Sequence, residues 1–228
     1  MKHKKVVVIG GSSGIGKSIV ERLKSEGAEV TTYSRSSEGD FHLDATSDFK
    51  EIKQLPDVID GLVYCPGTIN LKPFHRLTID QFKEDLEVNF FGAVKVLQAC
   101  FKGLKQANKP SVVLFSTVAV SMGMGFHSSI ASSKGAVEGL VKSLAAEWSP
   151  NGIRVNAVAP SLTDTPLAGQ LLSSDEKKEA AKKRHPLGRF GDPEEMAAAV
   201  SYLLSDSSSW MTGQILRIDG GMSSVRGV

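Results

Sequence analysis

The sequence predicts an α/β protein: a doubly wound parallel sheet with helices on both faces. Three observations lead there. Short β-branched apolar runs alternate with stretches of helical period along most of the 228 residues. A glycine-rich turn joins the first run to the first helical stretch. Each segment that carries chemistry follows the predicted end of a strand, the edge where open α/β sheets bind ligands.

The elements follow in order. Val6, Val7, Val8 and Ile9 form a strand buried on both faces. Ile15, Ile19, Val20 and Leu23 then repeat at helical spacing up to Gly27, a helix stop. Strands are predicted at 30–33 and 61–65, the latter followed by Pro66-Gly67, and one long helix over 78–106. A strand at 112–115, a helix over 132–148 and a strand at 153–159 come next. A helix over 193–204 and a strand at 214–218 end the pattern. The polar, helical segment 166–192 interrupts the alternation and reads as a small lobe over the site. With no internal repeat or dividing linker, the chain is expected to be one domain, 1–228.

Composition narrows the function classes. Charged residues make up 23% and the formal net charge is +2, so nothing calls for a polyanionic partner. The densest basic stretch, Lys177, Lys178, Lys182, Lys183 and Arg184, is interleaved with Glu176 and Glu179 and reads as a solvated helix face. Cys65 and Cys100 are far apart, and the five histidines show no zinc spacing, so no metal site is expected. The apolar run after the basic N-terminus stops at Ile9, too short for a signal peptide core, and no run is long enough to span a membrane. The expectation is a cytoplasmic protein with no nucleic-acid or membrane partner.

The turn Gly10-Gly11-Ser12-Ser13-Gly14-Ile15-Gly16 lies between the first strand and the first helix. Gly10 lets the chain turn, Gly14 clears a path for a pyrophosphate, and Gly16 lets the helix pack closely on the sheet. Free N–H groups at the helix start face the phosphates, and Ser12 and Ser13 add hydroxyl donors. The second strand ends in Ser34-Arg35-Ser36, where a carboxylate would repel a 2′-phosphate and a guanidinium can pair one. NADP(H) is therefore preferred over NAD(H), the plainer alternative being a surface arginine.

These features, with others along nearly the whole chain, resemble the short-chain dehydrogenase/reductase family. Gly10, Gly14 and Gly16 match its glycine spacing, and Asp44-Ala45 the pair that brackets the adenine. Asn89 matches its active-site asparagine, and the run from Gly152 to Pro160 the segment leading to the nicotinamide. Thr163 and Thr165 fall where the family holds the carboxamide, and Gly67 lies in its motif after the middle strand. The resemblance implies a Rossmann sheet of about seven strands, a homodimer or homotetramer, and hydride exchange between nicotinamide and a small alcohol or carbonyl. It also implies a tyrosine acid–base, a serine beside it on the substrate oxygen, and a lysine that holds the ribose and lowers the phenol's pKa.

The lysine is Lys134, but four residues earlier stands Ile130 in place of the tyrosine. Thr117, thirteen residues before Ile130, stands for the serine and keeps a hydroxyl. Tyr64-Cys65-Pro66-Gly67 replaces the Asn-Asn-Ala-Gly motif, and the segment 44–67 is short enough to lose a helix. Three substitutes for the acid remain open: His127 on the helical stripe of Ile130 and Lys134, Tyr64, or a water held by Thr117 and Asn89. The plainer reading of His127, and the preferred one, is a loop histidine outside the helix start. Asn89 and Lys134 also suit a silent NADP(H)-binding sensor or assembly protein, or a non-redox lyase or isomerase. The oxidoreductase is preferred because both ends of the dinucleotide have matching residues.

Overall fold

A computed structural model describes residues 1–36, 39–49 and 51–225. Seven parallel strands form one sheet: β1 (Lys5–Ile9), β2 (Glu29–Ser34), β3 (Phe41–His42), β4 (Gly61–Tyr64), β5 (Ser111–Phe115), β6 (Arg154–Pro160) and β7 (Ile215–Ile218). Their order is β3-β2-β1-β4-β5-β6-β7. The chain winds outward from β1 to β3, then returns to the other side of β1 at β4. A crevice opens outside the strand ends at that reversal.

The strand side chains alternate between two cores. Val7, Ile9, Leu62, Val112 and Val155 pack on one face with α3 (Gly92–Gln106) and α5 (Ser128–Trp148). Val6, Val8, Val63, Val113 and Val158 pack on the other with α1 (Gly14–Ser25) and α7 (Pro193–Leu204). Period-two alternation with both faces apolar is why these runs read as continuous valine and leucine.

Three elements depart from the sequence pattern. β3 has only two residues, too short to leave a periodic signal. Between β3 and β4 no helix forms among the described residues; Ile52 and Ile59 fill that part of the core directly. The expected helix over 78–106 is instead α2 (Ile79–Leu86), a π-helical turn (Glu87–Phe91) and α3. The buried Tyr64 hydroxyl donates to Val88 O at 2.6 Å, occupying a carbonyl of the π turn. Gly92 lets the phenol approach: a Cβ there would lie 2.3 Å from Tyr64 Oη.

The helix expected from residue 132 begins four residues earlier, at Ser128, where small serines had masked its period. A short helix, α4 (Ala119–Met122), precedes it. The segment after β6 forms a 3₁₀ stretch, Pro166–Leu172, capped by Thr165, and then α6 (Asp175–Lys183), capped by Ser174. No described helix is long and apolar enough to cross a membrane.

Candidate active site

The site is built on the crevice between β1 and β4. Gly10 follows β1 at φ +79, and a Cβ on it would press on Pro66, the residue two beyond β4. A Cβ on Gly16 would lie 2.1 Å from the Gly10 carbonyl oxygen, so only glycine closes this turn. The turn leads into α1 without a side-chain cap: Ser13 holds the N-cap position but makes no cap hydrogen bond. Ser12 is half-buried and Ser13 exposed. α2, α6 and α7 each carry a side-chain cap. α1 has none, nor an acidic residue in its first turn, which leaves its N–H groups to an anion.

At the far end of β2, Arg35 is exposed. The neighbouring Ser34 is buried, and its hydroxyl donates inward to Ser36 O at 2.9 Å, so it shapes the turn. The nearby carboxylate of Asp40 turns back to accept from the Thr32 amide and hydroxyl. Asp44 accepts from the Thr46 amide and hydroxyl, which hold its carboxyl below the usual range. Ala45 is buried against Gly92.

Toward β5 and β6 the crevice deepens into a cavity of about 250 Å³, apolar for the most part, with Ile15, Ile69, Met124, Ile130 and Leu171 among its walls. Its polar groups include Thr68, Thr117, His127 and Lys134. Gly67, Pro160, Thr163 and Thr165 also line it. Thr165 abuts Gly14, with its Cβ 3.4 Å from where a glycine Cβ would stand, so it lies beside the glycine turn.

Lys134 is buried beneath this cavity and donates to Phe115 O at 2.9 Å. Burial pushes its pKa down to about 8, against the opposing pull of Cys65 and Asp85. Asn89, 1% exposed, donates through Nδ2 to Thr68 Oγ1 and to Asp85 O, while its Oδ1 is buried without a partner. Both groups lie by Gly67: a Cβ there would be 3.3 Å from Asn89 Oδ1 and 3.7 Å from Lys134 Nζ. An orphaned amide oxygen and a lysine with donors to spare fit hydroxyl groups of a bound ligand.

The three groups the sequence offers as proton donors fare differently. Tyr64 is 2% exposed, bonded to Val88 O, and its pKa is driven far up by burial; it faces the core, away from the cavity. His127 is the N-cap residue of α5, a half-buried group on the cavity wall. Its Nδ1 donates to Gly125 O at 2.6 Å, leaving Nε2 as an acceptor in the neutral ring. Thr117 lines the cavity and its Oγ1 accepts from Ala119 N at 3.3 Å. Neighbouring Ser116 donates to Glu138 at 2.6 Å.

Sequence reasoning missed Asp85. It is fully buried on α2, four residues before Asn89, and takes the hydroxyl of Thr68 and the amide of Asn70 on one oxygen. The only signal was an aspartate at a helical position facing the core, hidden in the acidic run Glu84-Asp85-Leu86-Glu87.

The sheet order, with glycine turn, buried asparagine and buried lysine on one edge, defines a Rossmann-type α/β protein. A family model described as enoyl-(acyl carrier protein) reductase matches residues 43–223. A chloroplastic tropinone reductase homolog of Arabidopsis thaliana is 35% identical over 95% of this chain and 74% of its own. Bovine L-xylulose reductase is 34% identical over 96% of each. A putative 2-deoxy-D-gluconate 3-dehydrogenase from Agrobacterium tumefaciens, solved with bound NADP, superposes with a TM-score of 0.90 at 28% identity, covering 99% of this chain and 98% of that one. The chain belongs to the short-chain dehydrogenase/reductase family, a family of oxidoreductases.

Proposed function

We propose that this protein binds NADP(H) across the crevice and exchanges hydride between the nicotinamide and a small, largely apolar carbonyl or alcohol in the cavity. The carrying observation is that Lys134 and the unpartnered Asn89 Oδ1 meet at Gly67, in line with an uncapped glycine turn. The helix N-terminus, with Ser12, Ser13 and Thr165, takes the pyrophosphate; Arg35 takes the 2′-phosphate; Asp44 and Ala45 flank the adenine. Lys134 holds the nicotinamide ribose, while Pro160 and Thr163 support the carboxamide end. The bound dinucleotide supplies or accepts the hydride, and Thr117 bonds the substrate oxygen. Two unpaired thiols agree with a reducing, cytoplasmic setting. The family resemblance makes a homo-oligomer the expected assembly.

Ile130 favours a second reading. It is buried on the cavity wall; the resemblance implies a tyrosine at this position, and isoleucine has no proton to give. A silent NADP(H)-binding sensor needs everything above except that proton.

Dinucleotide titrations and NADPH oxidation against a carbonyl panel test both. We expect wild type to prefer NADPH, with Arg35→Ala cutting that preference at least tenfold. Equal affinity for NADH in wild type, unchanged in the variant, rejects the 2′-phosphate role. Turnover by wild type supports the enzyme; an inert wild type that gains turnover only as Ile130→Tyr establishes the silent protein. His127→Ala with undiminished turnover removes the histidine as acid.

A further inference from the structure

Thr68 is a cavity-wall hydroxyl whose bonding is almost fully assigned. A threonine hydroxyl has one proton to donate and two lone pairs to accept with. Its proton goes to Asp85 Oδ1 at 2.5 Å. One lone pair receives Asn89 Nδ2 at 2.8 Å. The second is free, on a residue that lines the cavity. Behind it stands a carboxyl with 0% exposure, which takes Asn70 Nδ2 at 2.9 Å on the same oxygen and leaves Oδ2 buried without a partner. Asn89 also donates to the main-chain carbonyl of Asp85 at 2.7 Å, so its amide ties the Thr68 hydroxyl to the helical turn that carries Asp85.

We propose that Thr68 is a catalytic residue and Asp85 acts through it, the two together moving the proton that Ile130 cannot. This rests on the oxidoreductase reading. In alcohol oxidation the substrate O–H bonds to the free lone pair of Thr68. That O–H breaks as a new one forms on Thr68 Oγ1, and the original Thr68 proton passes to Asp85 Oδ1. The negative charge leaves the carboxylate for the substrate oxygen. It becomes the second C=O bond as the carbon's hydrogen departs with its electron pair to the oxidised nicotinamide. After product leaves, water in the cavity takes the proton back through Thr68. Carbonyl reduction runs the same steps in reverse.

The surrounding charges are compatible. From α5, Lys134 faces the group, and Asp85 supports its ammonium form. Glu138 on the same helix is occupied by Ser116, and His127 turns its Nδ1 to Gly125 O. Glu87 on the π turn pairs with Lys95 at 2.8 Å. Among the described residues, Asp85 therefore has Lys134 to balance it and the Thr68 hydroxyl through which to reach the cavity.

Two measurements test the relay. The first needs no dinucleotide: an infrared difference spectrum of the ligand-free protein on adding cyclohexanol, with the Asp85 carboxylate band assigned by Asp85→Asn. The band shifts in wild type and Thr68→Ser and is unmoved in Thr68→Val; an unmoved band in wild type overturns the relay. The second is steady-state kinetics on whichever panel carbonyl or alcohol is turned over, with NADPH affinity verifying the fold of each variant. Thr68→Val is expected to lower kcat about 10²–10³-fold, the usual weight of a general acid–base group, with KM and dinucleotide affinity little changed. Thr68→Ser restores kcat to within about fivefold, and Asp85→Asn lowers kcat as far as Thr68→Val does. Thr68→Val with wild-type kcat overturns the proposal while leaving the oxidoreductase reading intact. A band shift in a protein that turns nothing over supports the hydrogen-bonded relay geometry and rejects the oxidoreductase reading on which its catalytic use rests.

Discussion

Lys134 shows how a buried charge can weigh against the fold that holds it. Its ammonium is buried with a single protein acceptor, Phe115 O, and burial lowers its pKa from 10.5 to about 8. For a lysine this sign means that the folded state holds its proton less tightly than the unfolded chain. Below about pH 8 both states are protonated and the cost of burying the charge is fully present. Between about 8 and 10.5 the folded state sheds the proton first, so stability rises with pH. At about 1.4 kcal/mol for each pH unit between 10.5 and about 8, the full cost is roughly 3–4 kcal/mol. Lys134→Met is therefore expected to be more stable than wild type in urea melts at pH 7, with the difference shrinking by pH 9.5. A gap that does not narrow with pH assigns the effect to packing instead.

At the scale of elements, two tight approaches set the site, and each turns on a missing Cβ. Gly16 closes the glycine turn against Gly10 O, and Gly92 admits the Tyr64 phenol that holds Val88 O. Gly16→Ala places a methyl 2.1 Å from a backbone oxygen, which no side-chain rotation relieves. It should cost about 2–3 kcal/mol in denaturant melts, within the range for overpacking, and weaken NADPH binding at least tenfold. Normal affinity in a destabilised variant separates the turn's structural part from its ligand part. Tyr64→Phe frees Val88 O, and a fall in kcat with unchanged dinucleotide affinity is expected, because the π turn orients Asn89 and, through it, Thr68.

For the whole molecule, the crevice joins segments distant in the chain: the turn after β1, the residues after β4, α5, and the stretch from Pro160 to Thr165. A dinucleotide that contacts all of them binds the folded state alone. At a concentration 100-fold above Kd it should raise the unfolding free energy by about 2.7 kcal/mol, seen as a concentration-dependent Tm. NADPH should act at lower concentration than NADH. A Tm indifferent to both removes the cofactor assignment at a stroke.

Much of this was legible in the chain itself, because it is carried by local chemistry. Valine runs specify strands buried on both faces, and a glycine cluster between strand and helix specifies a turn that admits an anion. Lys134 and Asn89 could be picked out by resemblance, as could Ile130, which stands where the resemblance implies a tyrosine. What the sequence could not convey is pairing across distance. β3 was too short to show a period. The π turn depends on Tyr64, which lies twenty-four residues from Val88. The link from Thr68 to Asp85 spans seventeen residues and two elements. Periodicity and motif report which face a residue occupies. Which buried polar atom meets which is decided only when the helices close on the sheet, because a hydrogen bond forms over less than 3.5 Å and no one-dimensional spacing encodes that distance.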